Sequence, residues 1–183
     1  MFKKYFFIDN FETKILNYQD KATSIIYRNY ETNQISPDSL INMRNYCKKR
    51  GLKFYISNNL KLAIKLRLDG AYIPSFNKST SHLNYSLFKN FKIIGSAHNI
   101  KEIRIKEKQN VNEIVLSSLF KKNKNYLGLY RFKILSKFTK KNLIVLGGIS
   151  NENRNTLKFL GYNSFAGISY FQKKGPSEGA SFK

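Results

Sequence analysis

The stretch Asn142–Ser169, NLIVLGGISNENRNTLKFLGYNSFAGIS, constrains this chain more than any other. Leu143–Leu146 is an unbroken apolar run. A strand with one wet face would alternate, so this one is expected to be covered on both faces, as in a parallel sheet flanked by helices. Gly147-Gly148 follows, and without side chains these residues can bring backbone N–H groups close to a ligand. A helical pattern comes next, then a short strand, Phe165–Ile168, that runs into Ser169.

The same alternation of strand and helix fills the chain. Strand-like runs fall at Lys4–Ile8, Thr23–Arg28, Lys53–Ile56, Ala71–Ile73, Lys92–Gly95 and Glu113–Ser117, ahead of the two already named. Alternating elements imply a parallel sheet. Eight such units favour an α/β fold of the closed (β/α)8 TIM-barrel type over an open doubly wound sheet. At 183 residues against about 250 for a typical barrel, the loops must be short.

Helix signals support the reading. Ser36-Pro37-Asp38 places a cap before a proline at the first helical position, and Gly51 ends that helix. Asn58 or Asn59 can cap Leu60–Arg67, Asn99 can cap Ile100–Lys108, and Ser150 or Asn151 can cap a helix ending near Gly161. Weak helical patterns at Lys78–Asn90 and Lys121–Gly128 predict poor or absent helices there. The expected organisation is one barrel over residues 1–172, followed by a flexible tail, Lys173–Lys183, which has no apolar face.

Charge and cysteine content set the remaining bounds. The net charge of +22 comes mostly from lysine spread evenly along the chain. That pattern predicts a diffusely solvated basic surface, one that would still attract phosphorylated substrates. No recognisable RNA- or DNA-binding motif accompanies it, so nucleic acid is not the expected partner and a basic nucleic-acid-associated protein ranks third among the readings. The single cysteine, Cys47, excludes an internal disulfide and a cysteine-based zinc cluster. No apolar run approaches the ~18–20 residues that span a bilayer, so no membrane association and a cytoplasmic location are expected. Asp9 interrupts the N-terminal apolar stretch before a signal-peptide core forms.

The order of short motifs resembles the thiamine phosphate synthase / TenI family. The resemblance runs from about Lys4 to Ser169. Its strongest part is YISNNLKLAIKLRLDGAYIP, similar to the family's block of strand, N-D turn, helix and Asp-Gly, with Asp69-Gly70 on the Asp-Gly. Next is LIVLGGIS with the later FAGIS, similar to the family's seventh-strand Gly-Gly-Ile and eighth-strand phosphate cradle. The resemblance implies a barrel that joins a pyrimidine diphosphate to thiazole phosphate in thiamine biosynthesis, with Mg²⁺ as cofactor. It also admits a TenI-like barrel that binds or tautomerises a thiazole phosphate without joining it. A small phosphorylated substrate is the implied partner, and a homo-oligomer is an admissible assembly.

Carried over residue by residue, the resemblance assigns Arg28, Asn58 and Lys124 to the reaction. Arg28 matches the Arg of the family's Q-x-R-x-K after strand 2, while Ile26 and Tyr30 replace the Gln and Lys. Ser57-Asn58 replaces an Asn-Asp pair whose Asp binds magnesium, and Asn58 keeps an acceptor oxygen without the charge. The second metal carboxylate belongs in Pro74–Asn77, where there is none, so no residue is assigned as a metal ligand. After strand 6, Phe120 is kept and Lys124 is the analogue of a loop lysine, with Lys121 and Lys122 as competitors. Gly147, Gly148, Ile168 and Ser169 are the implied phosphate-binding residues. Ser57, Ser117 and His98 are the implied substrate contacts. Gly95-Ser96-Ala97-His98 carries the residue types of the family's G-x-S-x-H one place early, and an ungapped alignment sets Ala97 on the Ser. Each assignment has a simpler alternative: Arg28 pairing with a surface carboxylate, Asn58 capping a helix, His98 as a loop histidine, and the glycine pair as a strand-to-helix turn.

Overall fold

A computed structural model describes residues 1–28 and 36–172; Tyr30 and the tail Lys173–Lys183 lie outside the described residues. Eight strands are β1 (Lys3–Ile8), β2 (Thr23–Tyr27), β3 (Lys53–Ser57), β4 (Gly70–Ile73), β5 (Lys92–Ala97), β6 (Glu113–Ser117), β7 (Asn142–Leu146) and β8 (Ser164–Gly167). Each pairs in parallel with the next, and β8 returns to β1 with Lys3 opposite Ser164 and Phe6 opposite Gly167, closing the barrel. The (β/α)8 expectation therefore holds, with β2 ending one residue earlier than the sequence suggests and β8 beginning and ending one residue earlier.

The helices are α1 (Thr13–Leu16), α2 (Pro37–Arg50), α3 (Leu60–Lys65), α4 (Ile100–Lys108), α5 (Gly128–Ser136), α6 (Arg154–Phe159) and α7 (Ser169–Gln172). Between β4 and β5 there is only a 3₁₀ turn, Ser81–Asn84, and Lys121–Leu127 forms no helix, as the weak patterns predict. Ser36 caps α2 by accepting from the Ser39 N–H, and Gly51 closes it at φ 70°, the left-handed stop that glycine adopts without strain. Asn59, not Asn58, caps α3 by accepting from Leu62, and Asn99 caps α4. The helix after β7 starts at Arg154, later than Ser150 or Asn151 would set it. A Ser150–Asn153 turn intervenes, in which the Asn153 Oδ1 accepts from the Ser150 N–H at 2.9 Å.

Strand alternation sorts the core into two layers. Tyr5, Phe7, Ile26, Tyr55, Tyr72, Ile94, Val115, Ile144 and Ala166 fill the barrel interior. The intervening residues, among them Phe6, Ile25, Phe54, Ile93, Ile114, Val145 and Phe165, pack outward under the helices. Both faces are apolar, which is why these strands read as continuous runs. The aromatic content thus fills a narrow barrel: Phe7 meets Tyr72 edge-on at 5.2 Å.

Asp69-Gly70, the strongest motif, has a structural role. The Asp69 carboxylate accepts the Phe54 N–H at 2.9 Å, and its carbonyl accepts the Lys92 N–H at 3.0 Å. It thereby joins β3 to the start of β5. A Cβ on Gly70 would lie 1.9 Å from the Lys92 carbonyl oxygen and 2.7 Å from the Tyr55 ring. Cys47 is buried, and burial first, then the nearby Asp69 charge, pushes its thiol up to about 12, so it behaves as an inert core residue.

A polar hub ties the β4–β5 connection to α4. Lys106 is fully buried, and its ammonium donates to the Pro74 carbonyl (2.7 Å), the Asn77 carbonyl (2.8 Å) and the Gln109 Oε1 (2.9 Å). Gln109 donates in turn to Asn77 and Ser79, and the buried His82 ring bonds the Gln109 carbonyl at 2.8 Å. Desolvation lowers the Lys106 pKa from 10.5 to about 8. Among the described residues, no helix is long and apolar enough to cross a membrane.

Two outcomes are expected. Gly70→Ala should cost about 3 kcal/mol or more, since the clash is with backbone and cannot be relieved by a rotamer change; urea unfolding measures it. For Lys106 the unfolded state binds more protons than the folded state between about pH 8 and 10.5. Its contribution to stability is therefore lowest below pH 8 and rises with pH across that window. Relative to Lys106→Met, the wild-type protein should gain stability from pH 8 to 10.5; parallel unfolding curves for the two that do not diverge with pH would contradict this.

Candidate active site

The C-terminal strand ends form the barrel mouth, where the short connections place most of the candidate side chains. Arg28 follows β2, and its backbone N–H donates to the Ile8 carbonyl at 2.7 Å. Its guanidinium lies 5.2 Å over the Phe7 ring and 3.6 Å from the Asp9 carboxylate. The surface-carboxylate alternative is thus realised, through a long and half-exposed pair. A guanidinium carries five donors, so this contact leaves capacity for a phosphate oxygen.

Asn58 stands at the end of β3 with φ 61°, a left-handed conformation that asparagine tolerates better than most residues. Because Asn59 provides the helix cap, the Asn58 side chain is free of that duty. Its Oδ1 instead accepts from the Asn77 Nδ2 at 2.6 Å. Asn77 belongs to the Pro74–Asn77 stretch where the resemblance sets the second metal carboxylate. Two amides therefore close on each other across the β3 and β4 ends. Ser57 is half-buried below Asn58.

This arrangement does not suit Mg²⁺. A hard divalent cation wants several oxygen ligands, with carboxylates among them. Here the Asn58 amide oxygen at β3's end is already occupied by an N–H donor, the adjacent Ser57 offers only a neutral hydroxyl, and Asn77 presents that donor rather than an anion. Among the described residues, no group of three or more His, Cys, Asp or Glu side chains is placed to hold a metal ion.

β5 resolves the motif that the sequence left one place out of step. Ala97 packs in the outer layer, and a Cβ on Gly95 would face Lys106 and Val111, also outside. Ser96, on the same face as Ile94, is therefore the buried inward serine of this strand. Alternation thus turns Ser96, and not Ala97, toward the barrel interior. Ser96 was not singled out from the sequence; the Ser-Ala-His order with one residue deleted before it was the available signal. Ser117, at the end of β6, is likewise buried and inward.

His98 sits on the rim, turned toward α4. Its Nδ1 and its backbone N–H both lie 2.8 Å from the Glu102 Oε2, while Asn99 donates to the other Glu102 oxygen at 3.0 Å. Asn99 and Glu102 thus form a reciprocal cap at the start of α4, with the His98 ring fixed against it. The ring lines an apolar groove of about 500 Å³ shared with Ile100, Leu127, Arg131, Ile134 and Leu135. His98 is positioned by a carboxylate, but its neighbours are those of α4 and α5, apart from Arg28 and Asn58.

The β6 connection folds over the β7 turn. Phe120 and Lys121 N–H groups both donate to the Gly147 carbonyl, at 2.8 and 3.3 Å. Gly147 and Gly148 have φ of 112° and 72°. Their Cβ atoms would lie 2.1 Å from the Ser118 Oγ and 2.8 Å from the Lys121 nitrogen, respectively. The glycine pair is required first by this loop contact. Lys121, Lys122 and Lys124 are exposed on the loop, and Lys124 lies in a turn in which Tyr126 donates to the Asn123 carbonyl. Exposed Ser169 opens α7, and the exposed Ile168 lines a cleft of about 110 Å³ with Asp9 and Gln172.

Barrel, short loops and a mouth carrying Arg28 and three loop lysines define a small α/β-barrel protein with its candidate site on the C-terminal face. The family model described as thiamine monophosphate synthase (TMP-TENI) matches residues 11–171, and the chain belongs to this family. It is 27% identical over 120 residues to a thiamine-phosphate synthase of Methanococcus vannielii, covering 63% of this chain and 58% of that one. It is 29% identical over 143 residues to a thiamine-phosphate synthase of Prochlorococcus marinus, covering 75% of this chain and 40% of that one. The chain thus spans roughly half the length of these curated relatives. Among solved structures, a thiamine phosphate pyrophosphorylase from Pyrococcus furiosus superposes with a TM-score of 0.73 at 18% identity, covering 92% of this chain and 86% of the other. FabK from Thermotoga maritima gives 0.69 at 12%, covering 93% and 59%. Likeness at these identities shows the shared barrel alone.

The amide pair makes a direct prediction. Asn58→Asp with Asn77→Asp should create a carboxylate pair and raise Mg²⁺ affinity by at least about tenfold over wild type, because each anion strengthens attraction to a hard cation. Titration calorimetry with MgCl₂ measures it, and equal heats for both proteins would show that the two ends do not converge on one cation.

Proposed function

We propose that this chain is a thiamine phosphate synthase-like transferase acting at the barrel mouth on a pyrimidine diphosphate and a thiazole phosphate. The observation that carries this reading is the family match over residues 11–171, which takes in seven of the eight strands and the glycine turn after β7. In the reaction, the bond between the pyrimidine methylene and the diphosphate oxygen breaks, and its electron pair leaves with pyrophosphate. The thiazole nitrogen lone pair then forms the new C–N bond to the methylene carbon.

Stabilising the departing charge is the main catalytic task. Arg28 and Lys124, with Lys121 and Lys122 beside it, supply cationic donors for the diphosphate, and Asn58 with Ser57 orients it. The N–H groups around Gly147, Gly148, Ile168 and Ser169 hold the monophosphate of the thiazole, a role that an uncharged backbone can serve. Ser96 and Ser117 face the substrate from the barrel floor. Residues 1–172 act as one catalytic barrel in the cytoplasm.

A second reading is favoured by one observation, the Glu102-held His98 ring. An acid–base group fixed by a carboxylate suits a TenI-like barrel that moves a proton on a thiazole phosphate without joining it to pyrimidine.

With both substrates saturating, the synthase reading expects thiamine phosphate, and Arg28→Gln should lower kcat by about 10²-fold, as loss of a charge-stabilising donor does. Product absent with and without Mg²⁺ overturns it. Calorimetric binding of thiazole phosphate alone, lost in Gly148→Ala, would then leave the second reading standing.

A further inference from the structure

The N-terminal face of the barrel, opposite the mouth, carries a second concave site. Strand alternation places the first residues of β1, β3 and β5 on the inner face below Tyr5, Tyr55 and Ile94. All three are lysines: Lys3, Lys53 and Lys92. Together with Lys21, which precedes β2, they line a cavity of about 300 Å³ whose floor is Tyr5, Tyr55 and Ser24. The convergence follows from barrel closure, since the three lysines are far apart in sequence.

One acidic group stands in this ring. Glu113, the first residue of β6, is buried, accepts a hydrogen bond from the Tyr5 hydroxyl, and lies 3.6 Å from the Lys3 ammonium and 3.9 Å from that of Lys92. A single carboxylate oxygen thus holds two ammonium groups at the opening. Lys21 and Lys53 have no carboxylate within 4 Å among the described residues. Four cations therefore outnumber the two carboxylate charges felt here, Glu113 at the opening and Asp69, which acts on Tyr55 while accepting the Phe54 N–H; the surplus positive charge beside low-dielectric walls focuses attraction on an anion. Burial, then the Glu113 charge, holds the Tyr5 phenol protonated, so the floor offers hydroxyls rather than further negative charge. Ser24, hydrogen-bonded to Tyr55, is within the same wall.

We propose that this lysine-ringed cavity at the N-terminal face is a binding site for a compact polyanion of phosphate chemistry, separate from the barrel mouth. The volume is that of about ten water molecules, which admits two linked phosphoryl groups. Ammonium groups on flexible stems act as point charges that suit phosphate oxygens without demanding one geometry. Conserving the barrel does not require such a ring: the N-terminal face of these folds ordinarily serves stability, and apolar or mixed-charge residues would serve it with less repulsion.

Inorganic pyrophosphate is the probe, titrated into ¹⁵N-labelled protein at about 150 mM salt, where diffuse surface attraction is screened beyond roughly 8 Å. Saturable shifts of the Ser24 and Lys53 amides are expected, and Lys21→Gln/Lys53→Gln should weaken that response by about tenfold or more through loss of two charges. Both lysines are exposed, so the variant retains the fold, checked by unchanged Tyr72 and Ile94 amides. Lys133→Gln/Lys137→Gln, on α5 and at its C-cap, removes the same charge elsewhere and should leave the response unchanged. Silent Ser24 and Lys53 amides, linear unsaturable shifts, or equal weakening in both variants overturn the proposal. Shifts at Gly148 and Ser169 report the mouth separately, so failure of either site is read without the other.

Discussion

Closure of β8 onto β1 is the constraint on which the rest of the structure depends. Once the eight parallel strands form a ring, no strand has an open edge, and every residue is committed to the interior or to the helix layer. That commitment selects Tyr5, Tyr55 and Tyr72 for the inside and Phe6, Phe54 and Phe165 for the outside. It also sets three lysines around one end of the barrel and three inward serines, Ser57, Ser96 and Ser117, near the other. A one-residue slip in any strand would exchange these sets.

The β3 and β4 ends show how support reaches the mouth from below. Lys106 on α4 and its C-cap residue Gln109 hold the carbonyls of Pro74, Asn77 and Ser79, and Asn77 in turn meets Asn58. An ammonium buried among carbonyls is costly unless every proton is used; here three acceptors take all three. The connection between β4 and β5 has only a single 3₁₀ turn of regular structure, so these contacts substitute for a helix. Where a metal would draw two loop ends together through charge, this chain joins them by an amide hydrogen bond, a weaker and neutral link.

Much of this was legible along the chain because it rests on local pattern. Leu143–Leu146 and its seven counterparts announce doubly covered strands, and the Ser36-Pro37 start, Gly51 stop and Asn99 cap are short-range signals that survive folding unchanged. The missing helix between β4 and β5 was equally readable, whereas α5, which begins at Gly128, was not marked in advance. What escaped was anything decided by facing direction or distant contact. Ser96 read only as a serine one place out of step with the motif, and only strand pairing fixes which of Ser96 and Ala97 looks inward. Asn77 carried no signal by itself, since its significance lies in reaching Asn58 from another loop. Gly147 and Gly148 read as a ligand turn, whereas their immediate need is room for Ser118 and Lys121.

The sequence by itself determined the alternation of elements, the closed-barrel class and the family resemblance, because periodicity and capping are properties of neighbouring residues. Only the tertiary structure decided which polar groups meet: Asn58 with Asn77, His98 with Glu102, Lys106 with two backbone carbonyls and the Gln109 amide oxygen, and Lys3 and Lys92 with Glu113. Those encounters depend on the curvature and register of a ring of eight strands, and no window along the chain contains that information.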